Sequence, residues 1–310
     1  MNNNNEKEKN FVSAVIYAGD DAERAVKFIG KVNELLTLHF ENFEIIVVDD
    51  YCKTPIQDEL LECSDGYNCS VSLIKMSYPQ GVQRSMNAGV DAAIGDFVFE
   101  FESTAIDYNI ELIIEVYRKS ISGFDVVSAV PVGNTKKSSK FFYSIFNKYS
   151  DGYNPLFTER FRVVSRRAIN RIESMTTNLV YRKVLYRNSG LMCSSVEYMP
   201  IAKINSKSLP KERSKLAFDS LMTFTSVGYR ISLSLSIFMM LFTAFSGIYA
   251  VVVFLLGKPV EGWTTLMILI SSAFSGIFLL LTIIIKYLSL QVEITTRKSK
   301  YIYENLYKIK

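Results

Sequence analysis

The sequence is poor in histidine and cysteine, two residue types on which many catalytic and metal sites depend. It contains one histidine, His39, and four cysteines in 310 residues. A lone histidine at the end of a predicted helix cannot complete a serine–histidine–aspartate set, and no glycine-rich phosphate-binding loop occurs. The cysteine spacing does not match a zinc site, so we expect free thiols at Cys52, Cys63, Cys69 and Cys193.

The sequence also lacks a marked excess of positive charge and an apolar start. Lysine and arginine number 35 against 31 acidic residues, and this net charge of +4 gives no support for nucleic-acid binding. Residues 1–10, MNNNNEKEKN, are polar and contain no apolar stretch of the kind that forms a signal peptide. We therefore expect a disordered N-terminus before the folded part of the chain, and no nucleic-acid partner.

Two long stretches near the end, Ile231–Leu256 and Trp263–Ile285, contain no charged residue at all. About 20 apolar residues are enough to cross a bilayer as a helix, and soluble helices seldom run so long without a charge. The link between them, residues 257–262, is too short to form a domain. The pattern predicts a two-helix transmembrane hairpin in the lipid bilayer, and favours it over two buried helices of a soluble core.

Lysine and arginine are concentrated on both sides of this hairpin. The positive-inside rule therefore places both flanks in the cytoplasm and the link outside. We expect an amphipathic juxtamembrane segment at residues 213–230 and a cytoplasmic tail at residues 286–310. The basic residues that carry this prediction are Lys203, Lys207, Lys211, Arg213, Lys215, Arg230, Lys286, Arg297, Lys298, Lys300, Lys308 and Lys310.

Residues 11–212 show short apolar runs that alternate with helical patterns, such as Ala22–His39 and Gly81–Ile94. This alternation predicts an α/β domain with a mostly parallel, Rossmann-like sheet and helices on both faces. Ligands of such sheets bind at the carboxyl ends of the strands. The predicted strands are Phe11–Tyr17, Phe43–Val48, Val71–Met76, Phe97–Phe101, Phe124–Val130, Phe161–Val164 and Cys193–Ile201.

Polar side chains follow two of these strands. Asp49 and Asp50 end the second strand and could bind a nucleobase or ribose; a loop or helix-capping role is an equally good interpretation. Arg84 and Asn87 lie early in the helix that follows Gly81, where they could reach a phosphate near the helix N-terminus. Simple solvent exposure is the alternative for both.

Acidic residues cluster around the end of the fourth predicted strand. Glu100 and Glu102 lie two positions apart and so point to the same face of the sheet, and Asp107 follows closely. Carboxylate oxygens at a sheet edge suit Mg²⁺ or Mn²⁺. A solvated acidic loop explains the spacing as well as a metal site does.

The order of these segments resembles one family, the membrane-anchored family-two (GT-A) glycosyltransferases that charge polyprenyl phosphates. Dolichol-phosphate mannose synthase and bactoprenol glucosyltransferases are members. The resemblance runs from about Phe11 to Tyr303. It rests on Ile45–Asp50, Gly81–Ser103, Phe161–Ile169, Arg213–Phe224 and Gly262–Leu266.

The resemblance implies a GT-A domain that moves a hexose from a nucleotide-diphosphate donor to polyprenyl (undecaprenyl) phosphate at the bacterial inner membrane. It leaves a homo-oligomer open. The family's Asp-x-Asp metal motif falls on Glu102-Ser103-Thr104. The implied roles are base or ribose binding by Asp49 and Asp50, diphosphate binding by Arg84 and Asn87, Mg²⁺ or Mn²⁺ binding by Glu102, Thr104 and Asp107, lipid-phosphate binding by Arg213 and Lys215, and catalysis by Glu159.

Two other functions remain open. The first is a catalytically degenerate subunit that binds a nucleotide sugar or acts as a scaffold. Thr104 supports this alternative, because it replaces one acid of the metal motif. A processive polysaccharide synthase is less favoured, because such enzymes carry more membrane spans and a Gln-x-x-Arg-Trp motif. The only tryptophan here is Trp263, at the predicted membrane hairpin.

Overall fold

The computed structural model describes residues 7–19, 21–52, 56–133, 137–149, 155–175, 181–202, 262–296 and 301–310, with isolated positions between 218 and 245. The chain divides into two compact units. The first contains Met1–Asn147, Gly152–Ser208 and Lys298–Lys310, and the second contains Lys148–Asp151 and Leu209–Arg297. Arg213, Lys215 and most of the first predicted span, Ile231–Leu256, lie outside the described residues.

The first unit contains an eight-stranded sheet in the order β7-β5-β6-β4-β1-β2-β3-β8. The pairs β1–β2, β1–β4, β2–β3 and β5–β7 are parallel, whereas β6 and β8 pair antiparallel with their neighbours. The predicted mostly parallel α/β sheet is therefore confirmed. The strands are β1 Val12–Ala18, β2 Phe43–Asp49, β3 Ser70–Met76, β4 Phe97–Phe101, β5 Val126–Pro131, β6 Arg162–Ser165, β7 Cys193–Tyr198 and β8 Tyr303–Lys308.

The helices follow the apolar periodicity of the sequence. For example, α1 begins after Asp21, whose carboxylate accepts a hydrogen bond from the backbone N–H of Arg24 at 3.2 Å. A short 3-10 helix covers Ser64–Gly66. The α-helices are α1 Ala22–His39, α2 Ile56–Glu62, α3 Val82–Ala92, α4 Leu112–Ile121, α5 Lys137–Tyr149, α6 Arg166–Met175, α7 Arg182–Asn188 and, in the second unit, α8 Trp263–Thr296.

Two apolar layers cover the faces of the sheet, one formed with α1, α2 and α4 and the other with α3, α6 and α7. Helix α3 lies unusually close to the strands at Gly89. A Cβ atom at that position would stand 2.3 Å from a methyl group of Val15 and 2.8 Å from one of Val48. Only glycine permits this approach, which holds α3 against β1 at Val15 and against β2 at Val48.

The C-terminal residues form a strand that the sequence pattern did not predict. Residues 301–310 belong to the sheet unit, and β8 pairs antiparallel with β3, so that Leu73 lies opposite Tyr307. The segment YENLYK is mostly exposed and has no apolar run that would signal a strand. Its conformation as a strand depends on pairing with β3, a sheet edge that lies more than 200 residues earlier in the chain.

Within the described positions, no helix combines the length and hydropathy that a membrane span requires.

Candidate functional site

The carboxyl ends of β3, β2, β1 and β4 lie side by side at one edge of the sheet. The loops that follow these strands therefore meet there, as the sequence predicts. Helix α3 begins at the same edge, directly after Gly81, which adopts a φ of 82°. This edge is the candidate site, because it brings polar loop residues and a helix N-terminus together.

Asp50, directly after β2, forms hydrogen bonds to β1 and to the loop that precedes α3. Its carboxylate accepts hydrogen bonds from the Tyr17 hydroxyl at 3.1 Å, and from the backbone N–H groups of Gln80 and Gly81 at 2.8 Å each. The Gln80 side chain in turn donates to the carbonyl of Ile302 and accepts from its N–H at 3.1 Å. Asp50 therefore fixes the start of α3, and the C-terminal segment supports the same loop from the other side.

Asp49 is buried and stabilises the turn after β2. One of its carboxylate oxygens accepts a hydrogen bond from the backbone N–H of Cys52 at 2.7 Å. The Cys52 thiol donates to the carbonyl oxygen of Gly19, also at 2.7 Å. The acid pair is at the predicted edge, but both members already have partners in loop structure.

The two predicted diphosphate ligands lie in different environments. Arg84 is partly exposed on the first turn of α3. Asn87, one turn further on, is fully buried, and its side-chain oxygen accepts a hydrogen bond from Arg182 at 2.6 Å. The structure thus leaves Arg84 at the site and places Asn87 beneath it.

The three predicted metal ligands are each held by a different arginine. Glu102 pairs with Arg162 and keeps a side-chain exposure of 29%. The hydroxyl of Thr104, which is buried, accepts a hydrogen bond from Arg24 at 3.1 Å. Of the three, Glu102 therefore has the side chain open enough to meet a ligand at the edge.

Asp107 is the most enclosed of the set, with a side-chain exposure of 1%. Arg160 binds both of its oxygens, and the Tyr198 hydroxyl donates to one of them at 2.7 Å. In the part of the chain that the structure describes, no group of three or more acidic, histidine or cysteine side chains is arranged to hold a metal ion. Asp107 and Thr104 are enclosed by protein contacts and do not fit the role of direct ligands to a cation, whereas the side chain of Glu102 is partly exposed.

A buried ionic network lies beneath Glu102. The guanidinium of Arg162 contacts Glu100 at 2.8 Å, Glu159 at 3.0 Å and Glu102, while its own side chain is only 2% exposed. Arg182 adds a second contact to Glu100 at 2.7 Å. Three carboxylates therefore surround one guanidinium, with a second arginine next to them.

The network keeps its carboxylates ionised despite burial. Burial acts to raise the pKa of Glu100, but the positive charges of Arg182 and Arg162 outweigh it and the pKa is lowered. Burial acts in the same way on Glu159, yet Arg162 and Lys183, with a hydrogen bond from Ser128, lower the pKa of Glu159 to about 2. Both groups are thus structural anions rather than proton carriers near neutral pH.

Sequence reasoning did not identify this network as a unit. The available signal was a charged residue inside each of two apolar strands, Glu100 in β4 and Arg162 in β6, which stand opposite each other in the antiparallel pair. Arg182 comes from a short helix with no comparable signal. The predicted lipid-phosphate ligands, Arg213 and Lys215, lie outside the described residues.

Comparison with known proteins fits this architecture. Residues 23–173, which run from α1 to α6 and include the candidate edge, match the model of glycosyl transferase family 2. The protein is a glycosyltransferase, and residues 23–173 are similar to family 2. An uncharacterised glycosyltransferase of Bacillus subtilis, YkcC, is 27% identical to it over 261 residues, 81% of this chain and 80% of the relative.

Two further similarities concern this glycosyltransferase. The bactoprenol glucosyl transferase of Shigella phage SfV is 24% identical over 271 residues, 83% of this chain and 86% of the phage protein. The solved structure of glucosyl-3-phosphoglycerate synthase from Mycobacterium tuberculosis superimposes with a TM-score of 0.51 at 12% identity, covering 69% of this chain and 78% of the synthase. This structural likeness shows that the glycosyltransferase has the GT-A fold.

Proposed function

We propose that this glycosyltransferase moves a hexose from a nucleotide-diphosphate donor to a polyprenyl phosphate at a membrane surface. The observation that supports the acceptor is the extent of the similarity to bactoprenol glucosyl transferases. It covers 83% of the chain, a larger share than the sheet unit, and therefore extends into the unit that contains Leu209–Arg297.

The reaction needs no protein nucleophile. An oxygen of the lipid phosphate attacks the anomeric carbon of the sugar, a new carbon–oxygen bond forms, and the bond to the nucleotide diphosphate breaks with its electrons on the departing oxygen. Because the acceptor is already an anion, no general base is required either. The contribution of the protein is positioning and charge stabilisation.

The residues at this edge of the sheet can supply such positioning and charge stabilisation. Arg84 and the N-terminus of α3 offer positive charge to the diphosphate. Glu159 was the candidate catalytic residue, but its side chain is only 5% exposed and is paired with Arg162, which suits holding the arginine in place. Arg213 and Lys215 remain the proposed ligands of the lipid phosphate.

The proposal includes membrane anchoring, with the GT-A domain and both termini in the cytoplasm of a bacterial cell. Its support is the pair of uncharged stretches and their basic flanks; the second stretch, Trp263–Ile285, lies within α8. A reporter enzyme fused after Lys310 should behave as cytoplasmic. Activity of that reporter outside the cell membrane would contradict the two-span arrangement.

The donor is testable with a panel of nucleotide sugars. Membranes containing the protein, supplied with polyprenyl phosphate, should transfer label from one or a few uridine or guanosine diphosphate sugars into the lipid extract. Membranes without the protein are the control. Tight donor binding with no transfer to any acceptor would instead favour a nucleotide-sugar-binding scaffold.

A divalent cation, Mg²⁺ or Mn²⁺, is part of the proposal, with Glu102 as the one carboxylate of the predicted set that is open to it. When bound, such a cation would offset the charge of the diphosphate. Glu102 also pairs with Arg162, so the site is a weak one, and we expect dependence on roughly millimolar metal.

Glu102→Gln tests this role, because it keeps the shape of the side chain and removes its charge. We expect nucleoside diphosphate affinity to fall at least about tenfold in the presence of metal, equivalent to ~1.4 kcal/mol, and to become insensitive to chelator. Calorimetric titration of wild type and variant, each with metal and with chelator, measures this. Equal affinities in all four titrations would show that Glu102 is not a metal ligand.

A further inference from the structure

Tyr51 has an unusual backbone conformation. Its φ is 64°, the left-handed region, and no other non-glycine residue in the described ranges has a positive φ. A bulky side chain is disfavoured in this region, whereas glycine adopts it without steric cost. Strained residues of this kind persist where the surrounding structure enforces them, and they cluster at functional sites.

The neighbours of Tyr51 enforce its conformation from both sides. On one side, Asp50 is held by the backbone of Gln80 and Gly81. On the other, the N–H of Cys52 is held by the carboxylate of Asp49. The backbone at position 51 must therefore make a tight turn between two fixed residues.

Packing does not explain why position 51 is occupied by a tyrosine. It is 55% exposed, and its hydroxyl makes no hydrogen bond to any described residue. Glycine would allow the turn more easily, and an exposed ring contributes little to a core. An exposed aromatic ring thus occupies a strained position on the carboxyl edge of the sheet, directly after β2.

We propose that Tyr51 is the base-stacking residue of the donor site, with its ring against the nucleobase of the nucleotide sugar. The inference rests on the proposed function, because it requires a nucleotide at this edge. Tyrosine rings stack on nucleobases through their faces, whichever base is present. Asp49 and Asp50 are engaged in loop structure, whereas the ring of Tyr51 is exposed and free to meet a ligand at the end of β2.

The arrangement of the strands agrees with this placement. In the sheet order, β2 and β4 are separated by β1 alone, and Glu102 directly follows β4. Two strand spacings amount to roughly 10 Å. A nucleoside with its base on Tyr51 would extend its diphosphate along the edge towards β1 and β4, where Glu102 and Arg24 lie.

Three variants of the full-length protein separate stacking from backbone effects. Tyr51→Phe keeps the ring, whereas Tyr51→Gly and Tyr51→Asn remove it and place residues that tolerate a positive φ. The probes are UDP, GDP and inorganic pyrophosphate, which has no base. Binding is measured by calorimetry, and the thermal midpoint of each variant is recorded alongside.

We expect Tyr51→Phe to bind UDP and GDP as the wild type does. Tyr51→Gly and Tyr51→Asn should bind at least one of them about tenfold or more weakly, with unchanged affinity for pyrophosphate and a thermal midpoint equal to or above that of the wild type. If Tyr51 had only a structural role, weaker nucleotide binding would not be accompanied by an equal or higher thermal midpoint.

Two results would overturn the inference while the proposed function stands. One is wild-type affinity for nucleoside diphosphates in Tyr51→Gly, and the other is an equal loss of nucleotide and pyrophosphate binding, which indicates a loop that has merely moved. If the wild-type protein binds no nucleoside diphosphate, the proposed function fails and the inference fails with it.

Discussion

Arg162→Met is expected to destabilise the sheet unit by about 3–5 kcal/mol, the usual cost of removing one partner from a buried ion pair. The variant would leave Glu100 fully buried with only Arg182 as a cationic partner, and would remove the arginine contact from Glu159. A domain has only about 5–15 kcal/mol of net stability. We therefore expect much of the protein to be unfolded or aggregated on expression.

The matched control is Arg118→Met, which makes the same chemical change at an exposed position of α4. It should change stability by no more than ~0.5 kcal/mol. Thermal unfolding of the purified full chain and its resistance to protease measure both variants. If Arg162→Met melts within a few degrees of the wild type, the three carboxylates do not depend on Arg162 in the way the structure indicates.

Asp50→Asn is expected to weaken nucleoside diphosphate binding about 100-fold. The carboxylate accepts hydrogen bonds from two consecutive backbone N–H groups, Gln80 and Gly81, and one from Tyr17. Hydrogen bonds to a charged acceptor contribute about 1.5–3 kcal/mol each. An asparagine has a single acceptor oxygen, and its amide group would face an N–H donor, so the loop that begins α3 should shift.

A matched control is Glu62→Gln, which neutralises an exposed acid at the end of α2 and should leave binding unchanged. Gln80→Ala distinguishes the two possible roles of Asp50, since it breaks the contacts to Ile302 while leaving Asp50 intact. Weaker binding in both Asp50→Asn and Gln80→Ala supports a loop-positioning role. Weaker binding in Asp50→Asn alone supports direct contact with the base, and wild-type affinity in Asp50→Asn contradicts both.

Much of the sheet could be predicted from the sequence because its strands are apolar on both faces. The strand Phe97–Phe101 and the helix Ala22–His39 have the predicted bounds. The elements that were missed include α5, α7 and β8. Neither Arg182–Asn188 nor Tyr303–Lys308 carries a long apolar pattern, and their conformation depends on partners far away in the chain.

The site was predictable as a place but not as a set of contacts. Asp50 and Glu102 were expected at the carboxyl edge, because strand ends in a parallel sheet meet there. The arginines that hold the acids are brought from other elements, such as Arg24 from α1 and Arg162 from β6. Spacing along the sequence contains no information on such pairs. The positive φ of Tyr51 was hidden for a similar reason, since tertiary contacts on both sides impose it.

The most direct measurement of the proposed function is lipid-linked product formation by the purified protein in vesicles. The vesicles contain polyprenyl phosphate or, as a control, the same lipids without it, and the labelled donor is the one selected by the panel. We predict label in the lipid extract when wild-type protein and polyprenyl phosphate are both present, and a loss of about 100-fold with Asp50→Asn at subsaturating donor. Transfer of the sugar to a water-soluble acceptor instead, or bound donor without any lipid product, would contradict the account.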